Sequence, residues 1–267
     1  ADLLLVNNLL HRFGEADEGL ERTAMTNEIL RQLHERKSVR VYDPDRPVTV
    51  EEKRQLLEAA LAAPTAGCMC LYTILDITDQ EIKDRLAVLC DHQPFIATAP
   101  VVLVFLADWQ RWYDSFVAAG VEAPRTPAEG DLFLAASDAV IAAQNVVMAA
   151  QSMNLGSCYI GDVLENGEQI AELLNIPSYA MPVAMLCIGA PTQQQKLRKK
   201  PVRFPLEALV HENGYHRAGP EALATMHSAR ADSEKNGFPE AVLAMERRKW
   251  SSAFMAEMNR SVAAWID

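Results

Sequence analysis

The chain has 267 residues, of which 49% are hydrophobic and 23% are charged, and its formal net charge is −11 at pH 7. This length is enough to bury a sizeable core, and the negative charge disfavours broad electrostatic binding to nucleic acid or to an anionic membrane surface. No uninterrupted apolar run has the ~20 residues of a membrane helix, and the apolar opening segment lacks a basic start, so we expect no signal peptide, no membrane partner and a cytoplasmic protein.

Apolar periodicity in the first half of the chain predicts helices that alternate with strands. Helices are predicted over NEILRQLHER and VTVEEKRQLLEAALAAP; in the second, Thr49 and Glu52 have capping-box spacing and Pro64 marks the end. A strand, LYTILDIT, and a helix, DQEIKDRLAVLC, follow. The continuous apolar run APVVLVFLAD is typical of a strand buried on both faces. Residues 110–130 are interpreted as a mobile helix and loop.

The second half is dominated by an alanine-rich helix, predicted over residues 132–156, which is apolar almost all round. Such a helix is buried in a core or in an interface. SCYIGDV comes next, followed by a short helix (GEQIAELLNI) and a third strand (MPVAMLCIGAP). A long helix from about Pro239 closes the chain, with a stripe formed by Trp250, Phe254, Met258, Val262 and Trp265. The pattern predicts one α/β-type domain with extensions at both ends.

Three polar residues alternate in the segment ERKSVRVYD after the first predicted helix: Arg36, Ser38 and Arg40. In an extended segment, residues two apart point the same way, so two guanidinium groups and a hydroxyl would converge on one point. This donor set suits a phosphate, because arginine makes bidentate contacts and serine donates one hydrogen bond. The alternative is that basic residues near a helix C-terminus only complement the helix dipole.

The densest positive cluster of this acidic chain is KLRKKPVRF, residues 196–204, which includes Arg198, Lys200 and Arg203. A solvated surface is the usual explanation of such a run, and the alternative is a phosphate site fed by two basic segments far apart in sequence. Neither segment is a glycine-rich phosphate loop, since no G-x-G-x-x-G follows a strand and no Walker pattern occurs. The sequence therefore disfavours a nucleotide held by a Rossmann unit.

The loop after the second predicted helix carries two cysteines one residue apart, Cys68 and Cys70. With Cys90 and His92 they form C-x-C…C-x-H, but C-x-C is tighter than the usual zinc pairs, so we expect no metal site. A Cys68–Cys70 disulfide would close a small, strained ring. The third interpretation is that both are ordinary small residues that line a site. Five cysteines, an odd number, also argue against a secreted disulfide framework.

Five segments occur in the order and at the spacing found in the FMN-dependent nitroreductase family, which the chain resembles over roughly residues 26–266. These segments are ERKSVRVYD, APTAGCMCLYTI, HQPFIATAPVVLV, AQNVVMAAQSMNLGSCYIGDV and GAPTQQQKLRKKPVRFP. The last segment of the chain, MERRKWSSAFMAEMNRSVAAWI, resembles the C-terminal helix of one bacterial branch.

The resemblance implies an α+β nitroreductase-type fold, with a central mixed β-sheet flanked by helices, in an intertwined homodimer with two FMN sites at the subunit interface. It divides the chain into an N-terminal extension (1–25), an FMN-binding domain (26–238) and a C-terminal helix that extends over the partner subunit (239–267). The alternative for the last helix is that it docks on its own core.

Carried over residue by residue, the resemblance assigns three groups of residues to FMN. The phosphate and the ribityl chain would be held by Arg36, Ser38, Arg40, Lys200, Arg203 and, if the alignment shifts, Arg198. The loop that would reach the flavin of the partner subunit comprises Pro64, Thr65, Ala66, Gly67, Cys68 and Cys70. The pyrimidine edge and the ring would be contacted by Gln93, Tyr159, Ile160 and Gly161. The motifs mark flavin contacts, so the resemblance names no catalytic acid or base.

The chain departs from the family in one place, because Cys68 and Cys70 stand where the family commonly has the Asn and Gln of T-A-G-N-x-Q. Two amides are thereby replaced by two small, weakly polar thiols. The metal and disulfide interpretations lose ground, and the cysteines become replacements in a loop of the flavin site. Routine nitro reduction is the property that this departure puts in most doubt.

The reaction that the resemblance implies is a ping-pong one, in which NADH or NADPH reduces FMN and leaves, and a nitroaromatic, quinone or similar small acceptor takes the electrons. The flavin carries the hydride chemistry, and the protein supplies orientation and electrostatics. Two alternatives stay open. One is a specialised flavoenzyme of the same fold, of the dehalogenase or flavin-fragmenting type, and the other is a non-catalytic flavin- or metal-binding protein with sensor cysteines. We expect FMN rather than FAD.

Overall fold

The structure is a computed structural model that describes residues 27–230 and 238–266. By its internal contacts the chain divides into two units, residues 1–36 and 37–267. The predicted N-terminal extension, residues 1–25, lies outside the described residues. In the first unit, helix α1 (Glu28–Glu35) begins at Asn27, whose side chain accepts hydrogen bonds from the backbone N–H groups of Ile29 and Leu30.

The second unit alternates helices and strands for most of its length. Its helices are α2 (Val50–Leu61), α3 (Gln80–Leu89), α4 (Gln110–Ala118), α5 (Glu129–Ser152), α6 (Gly167–Leu174), α7 (Gln193–Leu197), α8 (Pro220–Arg230), α9 (Glu240–Met245) and α10 (Ala253–Ile266). Its strands are β1 (Tyr72–Asp76), β2 (Val101–Asp108), β3 (Gly156–Ile160) and β4 (Ala180–Gly189).

Most predicted elements are confirmed at their positions. The capping box between Thr49 and Glu52 is formed on both sides at the start of α2. The strands predicted over residues 71–78, 99–108 and 181–191 are β1, β2 and β4. β3 was not predicted as a strand, because its five residues begin with glycine and serine and carry little strand pattern; pairing with β4 makes them extended.

The four strands form one sheet in the order β1-β2-β4-β3, and every neighbouring pair is antiparallel. One isolated parallel bridge joins Ser38 to Ser157 at the outer edge of β3. Among the described residues, the mixed pairing that the resemblance implied is therefore confined to this bridge. Strand β3 therefore lies at one edge of the sheet, and β1 lies at the other.

Strand β2 is buried on both faces, as its continuous apolar run predicted. The side chains that pack with α2 and α5 are those of Val101, Leu103 and Phe105. The side chains that pack with α3 and α6 are those of Val102, Val104 and Leu106. The second unit therefore has a helix layer on each face of its sheet.

Helix α5 is 24 residues long, and its buried side packs against the sheet. Among the described residues it is the one helix long and apolar enough to cross a membrane by length and composition, and 39% of the qualifying window is buried. The expectation concerned an uninterrupted apolar run, and α5 holds none of that length, because Asp138 and other polar residues interrupt the run without interrupting the helix. Core helices of globular proteins pass the same test, so this finding is weak evidence for a membrane span.

The predicted long C-terminal helix is broken into α9, a π-helix (Glu246–Trp250) and α10. Trp250 does not join the predicted apolar stripe, because it belongs to the π-helix and is 79% exposed. Helix α10 packs against α6 of its own chain: the Ser261 hydroxyl accepts the backbone N–H of Gly167 at 2.8 Å. The structure thus has α10 docked on its own core, and extension over a partner subunit stays a prediction.

Two glycines permit close approach of the segment that enters the sheet edge. A Cβ at Gly156 would lie 2.4 Å from Cγ2 and 2.6 Å from Cβ of Val39. A Cβ at Gly189 would lie 2.7 Å from the ring of Tyr42. Real Cβ atoms do not approach neighbours this closely, so glycine at these positions lets residues 38–42 lie directly against β3 and β4.

We expect Gly156→Ala to lower the free energy of unfolding by about 1–3 kcal/mol, because the added methyl overpacks against Val39. Gly130→Ala is the matched control, since a Cβ there meets nothing within 4 Å and alanine is the better helix former by about 0.5–1 kcal/mol. Urea unfolding midpoints of the two variants and the parent measure both effects. A midpoint for Gly156→Ala equal to that of the parent would contradict the close approach.

Candidate functional site

The two basic segments that the sequence singled out lie side by side. The Lys37 ammonium group donates to the backbone carbonyl of Arg198, and the Arg198 guanidinium donates to the backbone carbonyl of Ser38. The backbone N–H of Arg40 donates to Oε1 of Gln195 at 3.4 Å. Segments about 160 residues apart in the chain therefore meet, which is the proximity that one shared phosphate site requires.

Arg40 also connects the basic segments to the end of α3. Its guanidinium carbon lies 5.7 Å from the centroid of the Phe95 ring, within the range of a cation–π contact. Gln93, two residues earlier, is fixed by its side-chain amide, which donates to the carbonyl of Cys90 at 2.9 Å. The Gln93 segment is thus placed beside Arg40, and the amide keeps its carbonyl oxygen and a second N–H for a ligand.

The end of β3 opens to the surface. Ser38 is bridged to Ser157 of this strand, so the basic segment runs along the same edge. Tyr159 is half-buried and its hydroxyl lies 3.4 Å from Oε1 of Gln144, while Ile160 is buried. A Cβ added at Gly161 would meet nothing within 4 Å. Open space in front of the backbone therefore begins where the resemblance places the flavin ring.

The remaining three basic residues of the predicted set lie in two separate segments of the chain. Lys200 is half-buried and Arg203 is exposed in the segment after α7. Arg36 follows α1 in the first unit, where its backbone N–H donates to the carbonyl of Gln32. The roles of these three side chains stay predictions from the resemblance.

The loop from Pro64 to Cys70 is held by one buried carboxylate, that of Asp138 on α5, which is 3% exposed. This carboxylate accepts hydrogen bonds from the Thr65 hydroxyl, from the N–H of Ala66 at 3.0 Å and from the N–H of Leu71 at 3.2 Å. The Thr65 oxygen in turn accepts the N–H of Cys70 at 2.8 Å. The polar backbone groups of the loop are therefore satisfied by a side chain far away in sequence.

The loop backbone is in the left-handed region at three positions, with φ of 57° at Gly67, 57° at Cys68 and 49° at Cys70. This conformation costs a residue other than glycine about 1–2 kcal/mol. The indole N–H of Trp112 donates to the carbonyl of Met69 at 2.8 Å and holds the loop from its other side. The surroundings of the loop thus offset a conformation that its own residues disfavour.

Both thiols of the loop are free; Cys68 is exposed and Cys70 is half-buried. Within residues 27–230 and 238–266, no group of three or more His, Cys, Asp or Glu side chains is placed to hold a metal ion. The arrangement of the loop is that of two thiols presented on a fixed turn.

The loop and the β3 edge do not meet within one chain. The loop leads into β1, and three inter-strand spacings of about 4.8 Å, or ~14 Å in all, separate β1 from β3. The offset along the strands adds to this distance, because Tyr72 pairs with Ala107 whereas Ile160 pairs with Met185. The two groups of predicted residues therefore lie toward opposite edges of the sheet.

One buried carboxyl group of the second unit, that of Glu165, has a raised pKa. Burial, together with the nearby carboxylates of Asp162 and Asp91, raises the pKa of Glu165 to about 7. Asp162 follows Gly161, and Asp91 precedes the Gln93 segment by two residues.

Comparison with known proteins decides the family. A sequence profile described as the nitroreductase family matches residues 33–190, more than half of the chain. The chain belongs to the nitroreductase family. Its curated relatives include the "CR(VI) reductase" of Pseudomonas sp. (strain G-1), 33% identical over 212 residues, which are 79% of this chain and 84% of the relative.

Other members of the family are similar over most of their length. The "FMN reductase [NAD(P)H]" of Bacillus subtilis is 30% identical over 243 residues, which cover 88% of this chain and 92% of the relative. Among solved structures, the NfrA1 nitroreductase from B. subtilis superposes with a TM-score of 0.74 at 26% identity, covering 89% and 98% of the two chains. The NADPH:FMN oxidoreductase from Vibrio harveyi, complexed with NAD+, has a TM-score of 0.72 at 25% identity, covering 88% and 98%.

Sequence reasoning missed three residues that shape the site: Asp138, Trp112 and Phe95. The signal for Asp138 was present, since it is the only charged residue in 132–153, an otherwise apolar helix. Burial of a lone charge costs free energy unless the charge is hydrogen-bonded, so a single charged residue in an apolar helix predicts a specific polar partner. No comparable signal identifies Trp112 or Phe95, because their contacts with Met69 and Arg40 depend on how α4 and α3 pack.

Proposed function

We propose that this chain is an FMN-dependent oxidoreductase that passes electrons from NADH or NADPH to a small organic acceptor. The proposal rests on one observation: residues 37–40 are hydrogen-bonded to residues 195–198 beside the open end of β3. Family membership supports it, as do relatives named "FMN reductase [NAD(P)H]" and "NADPH-flavin oxidoreductase".

The residues present fit FMN better than a dinucleotide. Ser38, Arg40 and Arg198 form one positive donor set, which suits one terminal phosphate. The space in front of Gly161 leaves room for a planar ring against the backbone at the end of β3. We assign the phosphate to the donor set, with Lys200 and Arg203 as additional cations, and the ring to Tyr159, Ile160, Gly161 and Gln93.

When bound, FMN supplies the hydride and electron transfer, which amino-acid side chains do not provide. The chain's own residues would then bind FMN and orient it. The basic segments neutralise the phosphate charge, and the Gln93 amide keeps one oxygen and one N–H for the pyrimidine edge. The loop with Cys68 and Cys70 faces the acceptor and sets the shape of the pocket.

We propose a ping-pong order in which NAD(P)+ leaves before the acceptor occupies the same pocket. Nitroaromatics and quinones are the proposed acceptors, and free flavin is added because relatives are named for its reduction. The five free thiols of the described chain favour a reducing compartment, and we therefore propose a cytoplasmic enzyme.

We also propose a homodimer in which each flavin site uses both chains. The Pro64–Cys70 loop leads into β1, at the opposite edge of the sheet from β3, which supports a site completed by a second chain. Helix α5 carries an exposed apolar stripe on the face turned away from the sheet. Its members are Phe133, Leu134, Val140 and Ile141, and Phe133 is 73% exposed. A contiguous exposed apolar surface of this kind is typical of an interface.

The function is tested on the purified protein by releasing its cofactor for mass spectrometry and by recording its absorption spectrum without oxygen. We expect FMN, and we expect NADPH or NADH to bleach the yellow absorbance, whereas NADP+ as the control leaves it unchanged. Initial rates with varied NADPH and a quinone should give parallel double-reciprocal lines. FAD, or no flavin after reconstitution, would contradict the cofactor; bleaching without turnover of any acceptor would favour a specialised flavoenzyme.

The phosphate assignment predicts that Arg40→Ala and Arg198→Ala each weaken FMN binding by about 1.5–3 kcal/mol, because each removes a charge-assisted hydrogen bond. Arg54→Ala is the matched control, since Arg54 is an exposed residue of α2 that pairs with Glu51 and Glu58. Fluorescence titration of the flavin-free protein measures the dissociation constants. Equal FMN affinity in the parent and both site variants would show that the phosphate binds elsewhere.

The dimer proposal predicts that Ile141→Glu yields a monomer that no longer retains FMN, because a charge enters the apolar stripe of α5. Val50→Glu is the control, since Val50 is 85% exposed on α2 and should tolerate the charge. Light scattering coupled to size-exclusion chromatography gives the mass, and the absorption spectrum gives the flavin content. A dimer that persists in Ile141→Glu rules out this face of α5 as the interface.

A further inference from the structure

Asp138 combines burial, charge and a lone position in an apolar helix. It is the only charged residue in 132–153, and it faces into the unit from α5. The three groups that donate hydrogen bonds to it all belong to one segment, residues 65–71. A buried carboxylate is tolerated when donors surround it, and here every donor comes from the loop with the two cysteines. The loop and the carboxylate therefore form one structural unit.

The hydroxyl of Thr65 extends this unit to the second thiol residue. Thr65 donates to Asp138 and accepts the backbone N–H of Cys70 at 2.8 Å, so the carboxylate acts on Cys70 through a single oxygen. Gly67, Cys68 and Cys70 all have positive φ, which cysteine rarely adopts. The hydrogen bonds to Asp138 favour this conformation over the extended or right-handed ones that the loop would otherwise adopt.

We propose that Asp138 is a positioning residue for the reaction: it holds residues 65–71 in the left-handed turn that presents Cys68 and Cys70 to the acceptor. The consequence for turnover rests on the proposed function, whereas the hold on the loop does not. Because the loop faces the acceptor, loss of the carboxylate should change which acceptors are accommodated. FMN affinity should change little, since the proposed phosphate donor set lies at the other edge of the sheet.

The first test measures thiol modification in the protein as purified. Asp138→Asn keeps the size of the side chain but turns one amide N–H₂ toward groups that are themselves donors. We expect modification of Cys70 by a disulfide reagent to become about tenfold faster, the change that follows from losing one charge-assisted hydrogen bond. Peptide mass spectrometry locates the label. The buried thiols of Cys90, Cys158 and Cys187 should stay unmodified, which reports an intact fold.

Two further variants complete this test. Asp84→Asn is the matched control, because it makes the same substitution at an exposed position of α3 and should leave the rate unchanged. Thr65→Val cuts the same hydrogen-bond chain from the loop side and replaces Asp138→Asn if that variant does not fold. The double variant should be less than about twofold faster than the faster single variant, because residues in one network are not additive.

The second test separates positioning from a general loss of structure. In the flavin-loaded enzyme, Asp138→Asn should raise the acceptor KM by about fivefold or more, while the FMN dissociation constant, measured by fluorescence titration of the flavin-free protein, stays within about twofold of the parent value. Unchanged labelling of Cys70 in both loop variants overturns the inference. Faster labelling with an unchanged acceptor KM overturns the positioning role. Absence of flavin from the parent protein contradicts the proposed function instead, and the labelling result still decides whether Asp138 holds the loop.

Discussion

Burial of β2 on both faces is the constraint on which the rest of the second unit depends. Its apolar residues alternate between a layer formed with α2 and α5 and a layer formed with α3 and α6. β2 pairs with β1 on one side and with β4 on the other, and β3 pairs with β4, so β1 and β3 lie at the two edges of the sheet. This order places the cysteine loop, which leads into β1, and the basic residues 37–40, which lie beside β3, at opposite edges.

At the β3 edge, residues 38–42 are held mainly by close packing of their backbone against the sheet. Gly156 leaves room for Val39, and the bridge between Ser38 and Ser157 aligns the basic segment with the strand. Arg198 and Gln195 then reach residues 38–40 from the far end of the second unit. Positive groups are brought together in an acidic chain because backbone packing holds their segments, and this concentrates charge where an anionic ligand compensates it.

The cysteine loop follows a different principle, in which a buried charge organises a disfavoured backbone. Asp138 satisfies the N–H groups of the turn, and Trp112 satisfies a carbonyl. Cys68 and Cys70 can therefore stand where the family commonly has amides, because the turn depends on groups outside those two side chains.

Local features of this protein were determined by the sequence itself. The Thr49–Glu52 capping box, the apolar run of β2 and the three predicted strands depend on neighbouring residues, and the structure contains them. The order and spacing of the five motifs also identified the nitroreductase family. Tertiary structure alone decided that Gly156–Ile160 is a strand, that Trp250 leaves the stripe and that Asp138 holds a loop about 70 residues away. These outcomes depend on contacts between segments distant in sequence, and no local pattern records which distant segments will pack together.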